Sequence, residues 1–151
     1  MRVAAGVILI IAAVFNLLAS LGYLAGGAVA TGGSELIDSA YTQSAEFTEE
    51  DRKNIEKAKE EIGGSGVGFL AFGVFLLVSV GILIAGAVFL FQDKKPQFIM
   101  VAGGMAILAE VIGILITTFG VTNIVGLVGG VLAILAAKSM SGGVVAPVEA
   151  E

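Results

Sequence analysis

The apolar positions of this chain fall into four long runs, Val3 to about Ala30, Gly66 to Phe91, Phe98 to Phe119, and a last run ending at Lys138. Each is close to or above the roughly 20 residues a helix needs to cross about 30 Å of hydrocarbon. A soluble domain breaks its apolar positions every few residues, which these runs do not. The pattern predicts an all-α fold, a transmembrane four-helix bundle with a short extramembrane helix between spans one and two. Span one covers 1–30, an acidic extracytoplasmic segment 31–65, and span two 66–91. A cytoplasmic turn over 92–97, span three over 98–119, span four over 121–138 and a flexible tail over 139–151 complete the chain. The brief connections make spans two, three and four antiparallel neighbours.

Two readings of the first run are open. Arg2 followed by apolar residues, with Ala28-Val29-Ala30 as a small-x-small site, fits a cleaved signal peptide. The run is, however, longer than the 7–15 residues of an ordinary signal core, which favours an uncleaved helix.

The polar segment opens with Thr31-Gly32-Gly33-Ser34 and carries nine carboxylates against four bases. Thr48 precedes Glu49, Glu50 and Asp51, which reads as a helix start with acids at the positive end of the helix dipole. Glu56 and Glu60 continue the acidic face, and Ile55, Ala58 and Ile62 form a thin apolar stripe over 49–62. Gly63-Gly64 is expected to end this helix, and Ser65 to cap the next.

Composition sharpens the picture by what it lacks. Of 151 residues, 57% are hydrophobic, and the mean hydropathy is +1.01. The 22 glycines with only two prolines suit close-packed membrane helices. Without Cys there is no disulfide or thiolate chemistry, and without His the commonest general base and metal ligand is missing. Catalysis would rest on carboxylates, Lys or hydroxyls, and no two of these stand at a persuasive spacing, so the expectation is no enzyme, no cofactor and no metal. Glu49-Glu50-Asp51 lacks the alternating ligands and glycine of a calcium loop. A net charge of −5 without a basic patch argues against nucleic acid.

Four spans put both termini and the 92–97 turn on one side. Arg2, Lys94, Lys95 and Lys138 abut span ends there, whereas Arg52, Lys53, Lys57 and Lys59 lie within the acidic helix on the other side. Bases close to the spans set orientation, so the termini are expected in the cytoplasm.

Glu110 stands inside the third span between Ala106-Ile107-Leu108-Ala109 and Val111-Ile112-Gly113. A carboxylate at bilayer depth costs several kcal/mol if charged, so it must be protonated, paired or next to water. At about 1.5 Å per residue, Glu110 is roughly 20 Å from Gln97, Asn16 roughly 21 Å from Arg2, and Ser79 roughly 20 Å from Gln92. A polar cluster of Asn16, Ser79 and Glu110 inside the bundle follows as an expectation. Such a cluster serves as interhelical glue, as a proton or cation site, or as a contact to another subunit. Small-residue spacing marks helix packing at Gly22 and Gly26, Ala109 and Gly113, and Gly126 and Gly130, either within the bundle or in self-association. Phe69, Phe72 and Phe75 read as an interfacial anchor or lipid-facing ridge.

From Gly68 to Lys138 the chain resembles uncharacterised small four-span bacterial membrane proteins. The resemblance rests on the Gly-rich second span, the Lys94-Lys95-Pro96 turn, the opening Val101-Ala102-Gly103-Gly104 and the Gly-rich last span ending in Lys138. It implies a fold and no activity. Ala109-Glu110-Val111-Ile112-Gly113 resembles the stretch around the proton-carrying carboxylate of rotary ATPase proteolipid subunits. Here the acid is on the third span, the outer segment is long and acidic, and the glycine ladder is incomplete. The leading expectation is a non-enzymatic accessory or scaffold subunit, partnered by the lipid bilayer and by other membrane subunits or a second copy. The alternatives are a proton- or ion-coupled transport component centred on Glu110 and an extracytoplasmic binding module using the acidic helix.

Overall fold

The structure, a computed structural model, describes residues 2–43, 48–116 and 119–141; within these, the described side chains exclude 34–43, 50–52, 58–59 and 61–63. Four helices follow one another: α1 Arg2–Gln43, α2 Glu49–Phe91, α3 Pro96–Ile116 and α4 Val121–Ser141. The fold is an all-α bundle of four long apolar helices. The stretches Arg2–Gly33, Gly64–Phe91, Pro96–Ile116 and Val121–Ser141 are each long and apolar enough to cross a membrane. A helix closes its backbone hydrogen bonds internally, which is what allows such a stretch to sit in lipid.

Both ends of α3 differ from the sequence pattern, since the helix runs Pro96–Ile116 rather than 98–119 and leaves Phe119 outside it, and three further boundaries differ as well. First, α1 runs past Ala30 to Gln43. Thr31 does not interrupt it, because its hydroxyl donates back to the carbonyls of Gly27 (2.9 Å) and Ala28 (3.1 Å) and so is satisfied within the helix. Second, α2 starts at Glu49, directly after Thr48, but Gly63-Gly64 does not stop it, so the short helix expected between spans one and two is the first part of α2. A glycine costs about 1 kcal/mol in a helix interior, whereas a helix end at the edge of an apolar span leaves several carbonyls unpaired. Third, the last helix includes Ser139, Met140 and Ser141, whose serine hydroxyls bond back to Ala136 (2.7 Å) and Ala137 (3.1 Å). The rest of the expected tail, 142–151, lies outside the described residues.

The described residues form two compact units, 1–17 with 77–151 and 18–76. In the first, Leu9, Leu83, Leu90 and Ile99 are fully buried among Ala5, Ala12, Ala13, Ala87, Ala106, Ala133, Ala136 and Ala137. A core of alanines with a few large side chains lets the helices approach closely. The backbones of α3 and α4 come close to each other. A Cβ added at Gly103 would lie 2.7 Å from the carbonyl oxygen of Gly130, and one at Gly130 would lie 2.6 Å from that of Gly103. Backbone rests on backbone.

The α2–α3 turn is set by a Schellman motif. The Lys94 N–H reaches Phe89 O (3.0 Å) and the Asp93 N–H reaches Leu90 O (3.4 Å), with Asp93 left-handed at φ 53° where glycine is usual. Lys95, also left-handed at φ 51°, caps α3, its carbonyl accepting from Phe98 (3.0 Å) and Ile99 (3.2 Å), and Pro96 takes the first helical position. Pro96 and Gln97 therefore belong to α3 rather than to the turn.

In the second unit the helices meet at different glycines from those the GxxxG spacing marked. A Cβ at Gly27 would lie 2.8 Å from Gly66 O and from the Leu70 backbone N, while one at Gly22 or Gly26 would meet nothing within 4 Å. The reason is phase. Ser20, Leu24, Gly27 and Thr31 share the face of α1 turned to α2, and Gly22 and Gly26 are rotated off it. Among the described residues nothing packs closely on Gly22 or Gly26. Phe72 is also buried rather than lipid-facing, edge-on to Tyr23 at 4.8 Å, with Phe69 tilted against the same ring at 5.8 Å and Phe75 stacked on Phe72 at 6.0 Å.

Candidate functional site

The first unit holds the carboxyl group that the sequence singled out. Glu110 is 7% exposed and sits fourteen residues into α3, about 21 Å from Pro96 and about 9 Å from Ile116. Its Oε2 accepts a hydrogen bond of 2.7 Å from Asn123 Nδ2 in the first turn of α4. The other end of the Asn123 amide is equally engaged, since Oδ1 accepts the Gly120 N–H at 2.7 Å, and the Asn123 N–H donates to Gly120 O at 3.1 Å. Asn123 therefore caps α4 and ties it to α3 with one side chain. Its orientation is fixed because only the Nδ2 end can donate to Glu110.

Gly126 makes room for this contact. A Cβ there would lie 2.5 Å from Cγ and Cδ of Glu110, so the Glu110 side chain occupies the space that any other residue at 126 would fill. The carboxyl group thus packs within the first two turns of α4, at the positive end of its dipole. Ala109 is buried beside it and Gly113 is half-buried one turn further.

Asn16 and Ser79, expected in one cluster with Glu110, form a separate pair. The Asn16 Nδ2 donates to Ser79 Oγ at 3.3 Å, with both residues buried. Equal height along three helices did not bring three side chains together, because Asn16 and Ser79 face each other while Glu110 faces α4. The cluster is two sites. In the second unit, Ser20 Oγ donates to Gly73 O at 2.9 Å, fully buried, a contact the sequence reading did not single out.

Asn123, at the start of span four, was likewise not among the residues the sequence pattern marked. The signal lay in the hairpin: an acid within two turns of one helix end can reach the first turn of the next when the connection is brief. Among the described residues no buried side-chain nitrogen or oxygen lacks a hydrogen-bond partner. Nor does any group of three acids among them stand ready to hold a metal ion. Of the acidic helix, Glu49, Glu56 and Glu60 are exposed; the side chains of Glu50 and Asp51 lie outside the described residues. Chemically, the Glu110 and Asn123 arrangement is a tie between two helices rather than an open reactive centre. Compared with protein-family models, with curated proteins and with solved structures, the chain matches none.

Proposed function

We propose that this chain is a non-enzymatic accessory or scaffold subunit of a membrane assembly, with its termini and the α2–α3 turn in the cytoplasm. The observation that carries the reading is the way Glu110 is spent. Its carboxyl group is held by Asn123 and seated on Gly126, so the one acid inside a span serves the α3–α4 hairpin. Asn16 with Ser79, and Ser20 with Gly73, use further span polar groups in the same way. Outward, the helices are apolar, and only 33–39% of each span's most apolar window is buried within the chain. Such surface suits lipid and neighbouring transmembrane helices. Gly22 and Gly26 leave a close-approach face on α1 for such a neighbour.

Gentle extraction followed by native electrophoresis tests the proposal. The chain should migrate in an assembly well above its own 15.2 kDa plus detergent, and Glu110→Gln should leave that assembly intact. A chain that migrates alone, or an assembly that is kept while carbodiimide modification of Glu110 abolishes ion movement, would replace the scaffold reading. The orientation is checked separately. Because the sequence has no Cys, a single Lys94→Cys should react with an impermeant maleimide only from the cytoplasmic side, and Glu56→Cys only from the other.

A further inference from the structure

Where α2 hands over to α3, the surface differs in chemistry from the apolar faces elsewhere. A cavity of about 560 Å³ opens there, lined by Lys95, Pro96, Gln97, Phe98, Val101 and Ser141. Its lining changes along the helix axis. Lys95 and Gln97 stand at the start of the apolar stretch Pro96–Ile116, and Val101 lies six residues beyond Lys95, about 9 Å deeper. The groove therefore begins at headgroup level and runs into the hydrocarbon.

Charge is left over at its mouth. Arg2 and Asp93 neutralise each other, Nη1 to Oδ1 at 2.7 Å. Lys94 and Lys95 are exposed, and neither forms an ion pair among the described residues. The Lys95 ammonium is not adrift: Nζ stands 5.1 Å from the centre of the Phe89 ring, and Phe89 meets Phe98 edge-to-face at 5.2 Å. A cation–π contact at the end of α2 thus holds the charge beside an aromatic residue that lines the groove. Lys138, three residues before Ser141 on α4, is a further exposed cation on a helix whose end reaches the groove.

We propose that this groove binds an anionic phospholipid, with its phosphate at Lys95 and Lys94 and an acyl chain lying along Phe98 and Val101. The proposal rests on the membrane reading of α2 and α3 and goes beyond the accessory role. A free phosphate would use the cations and leave the apolar floor bare. A zwitterionic lipid would use the floor and leave the charge unmatched. A second copy of the chain would bring its own Lys94, Lys95 and Lys138 to this end, and the acid described there, Asp93, is bonded to Arg2. Basic residues at the membrane surface each add measurably to the attraction for anionic lipid.

The absence of Trp allows a direct test. Phe98→Trp places a single reporter in the groove while keeping an aromatic edge for Phe89. The full chain is reconstituted in phosphatidylcholine vesicles with increasing fractions of brominated phosphatidylglycerol or brominated phosphatidylcholine, and tryptophan quenching is read. Brominated phosphatidylglycerol should reach half-maximal quenching at about a tenfold lower mole fraction. Adding Lys94→Gln and Lys95→Gln should bring the two lipids together, whereas Lys95→Arg should keep the preference; circular dichroism confirms that each variant is folded. Equal quenching by both lipids in the Phe98→Trp chain overturns the lipid site alone. A preference that survives the double Gln change, or that vanishes when inorganic phosphate is added at constant ionic strength, also overturns it. Quenching by neither lipid removes the membrane reading along with it.

Discussion

The crossing of α3 and α4 at Gly103 and Gly130 gives the sharpest test of how this bundle is held together. Changing Gly130 to Ala puts a methyl group 2.6 Å from a backbone oxygen of the facing helix and 2.7 Å from Cγ1 of Ile107. Ile107 can rotate, but the Gly103 carbonyl cannot move without its helix. Bringing 2.6 Å out to an ordinary contact of about 3.4 Å requires the helices to part by roughly 0.8 Å. That separation acts on the neighbours too, since the bond from Asn123 to Glu110, now 2.7 Å, spans the same interface about two turns away. Overpacking of this kind costs about 1–3 kcal/mol, offset by the ~0.5–1 kcal/mol that Ala gains over Gly in a helix. The net expectation is a loss of up to about 2.5 kcal/mol. Gly104→Ala is the matched control, because a Cβ there meets nothing within 4 Å and keeps the propensity gain. Reversible unfolding in mixed micelles of dodecyl maltoside and SDS, followed by far-ultraviolet circular dichroism, compares the two. If Gly130→Ala proves as stable as Gly104→Ala within ~0.5 kcal/mol, the backbone-on-backbone crossing is wrong.

The remaining expectations use the same unfolding assay. Glu110→Gln keeps an acceptor for Asn123 and should stay within ~1 kcal/mol of the parent, whereas Glu110→Ala should lose about 0.6–2 kcal/mol. Asn123→Ala should cost more than Glu110→Ala, since it also removes the bond to the Gly120 N–H; equal losses would deny Asn123 its double role. Asp93→Gly relieves a left-handed residue and gives up only an exposed ion pair, so it should be neutral or stabilising by up to ~1 kcal/mol, while Asp93→Val should be destabilising by more than that. Gly27→Ala should destabilise the second unit by driving a methyl into the Gly66 backbone. Gly22→Ala and Gly26→Ala should keep monomer stability or raise it by the ~0.5–1 kcal/mol expected of Gly104→Ala, and analytical ultracentrifugation of these two variants reports whether that face holds a second copy.

Some of this was readable from residue order, because it depends on quantities that add along the chain. Apolar length against bilayer thickness is such a quantity, so the four runs gave four helices, and Glu110 stood out as an acid inside one of them. The helical start after Thr48 is local in the same sense. Helix continuation through Thr31 and Gly63-Gly64 was not legible, since it turns on a hydroxyl folding back on its own helix and on how costly a break beside an apolar span would be. Pairing was still less so. The rise per residue sets the height of Asn16, Ser79 and Glu110, but their direction around each helix axis depends on how the helices are rotated against one another. That rotation is chosen by close packing of small residues, which selected Gly27 over Gly26 and set Gly103 against Gly130. It turned Asn16 toward Ser79 and Glu110 toward Asn123. Height belonged to the sequence; azimuth was decided only when the helices packed.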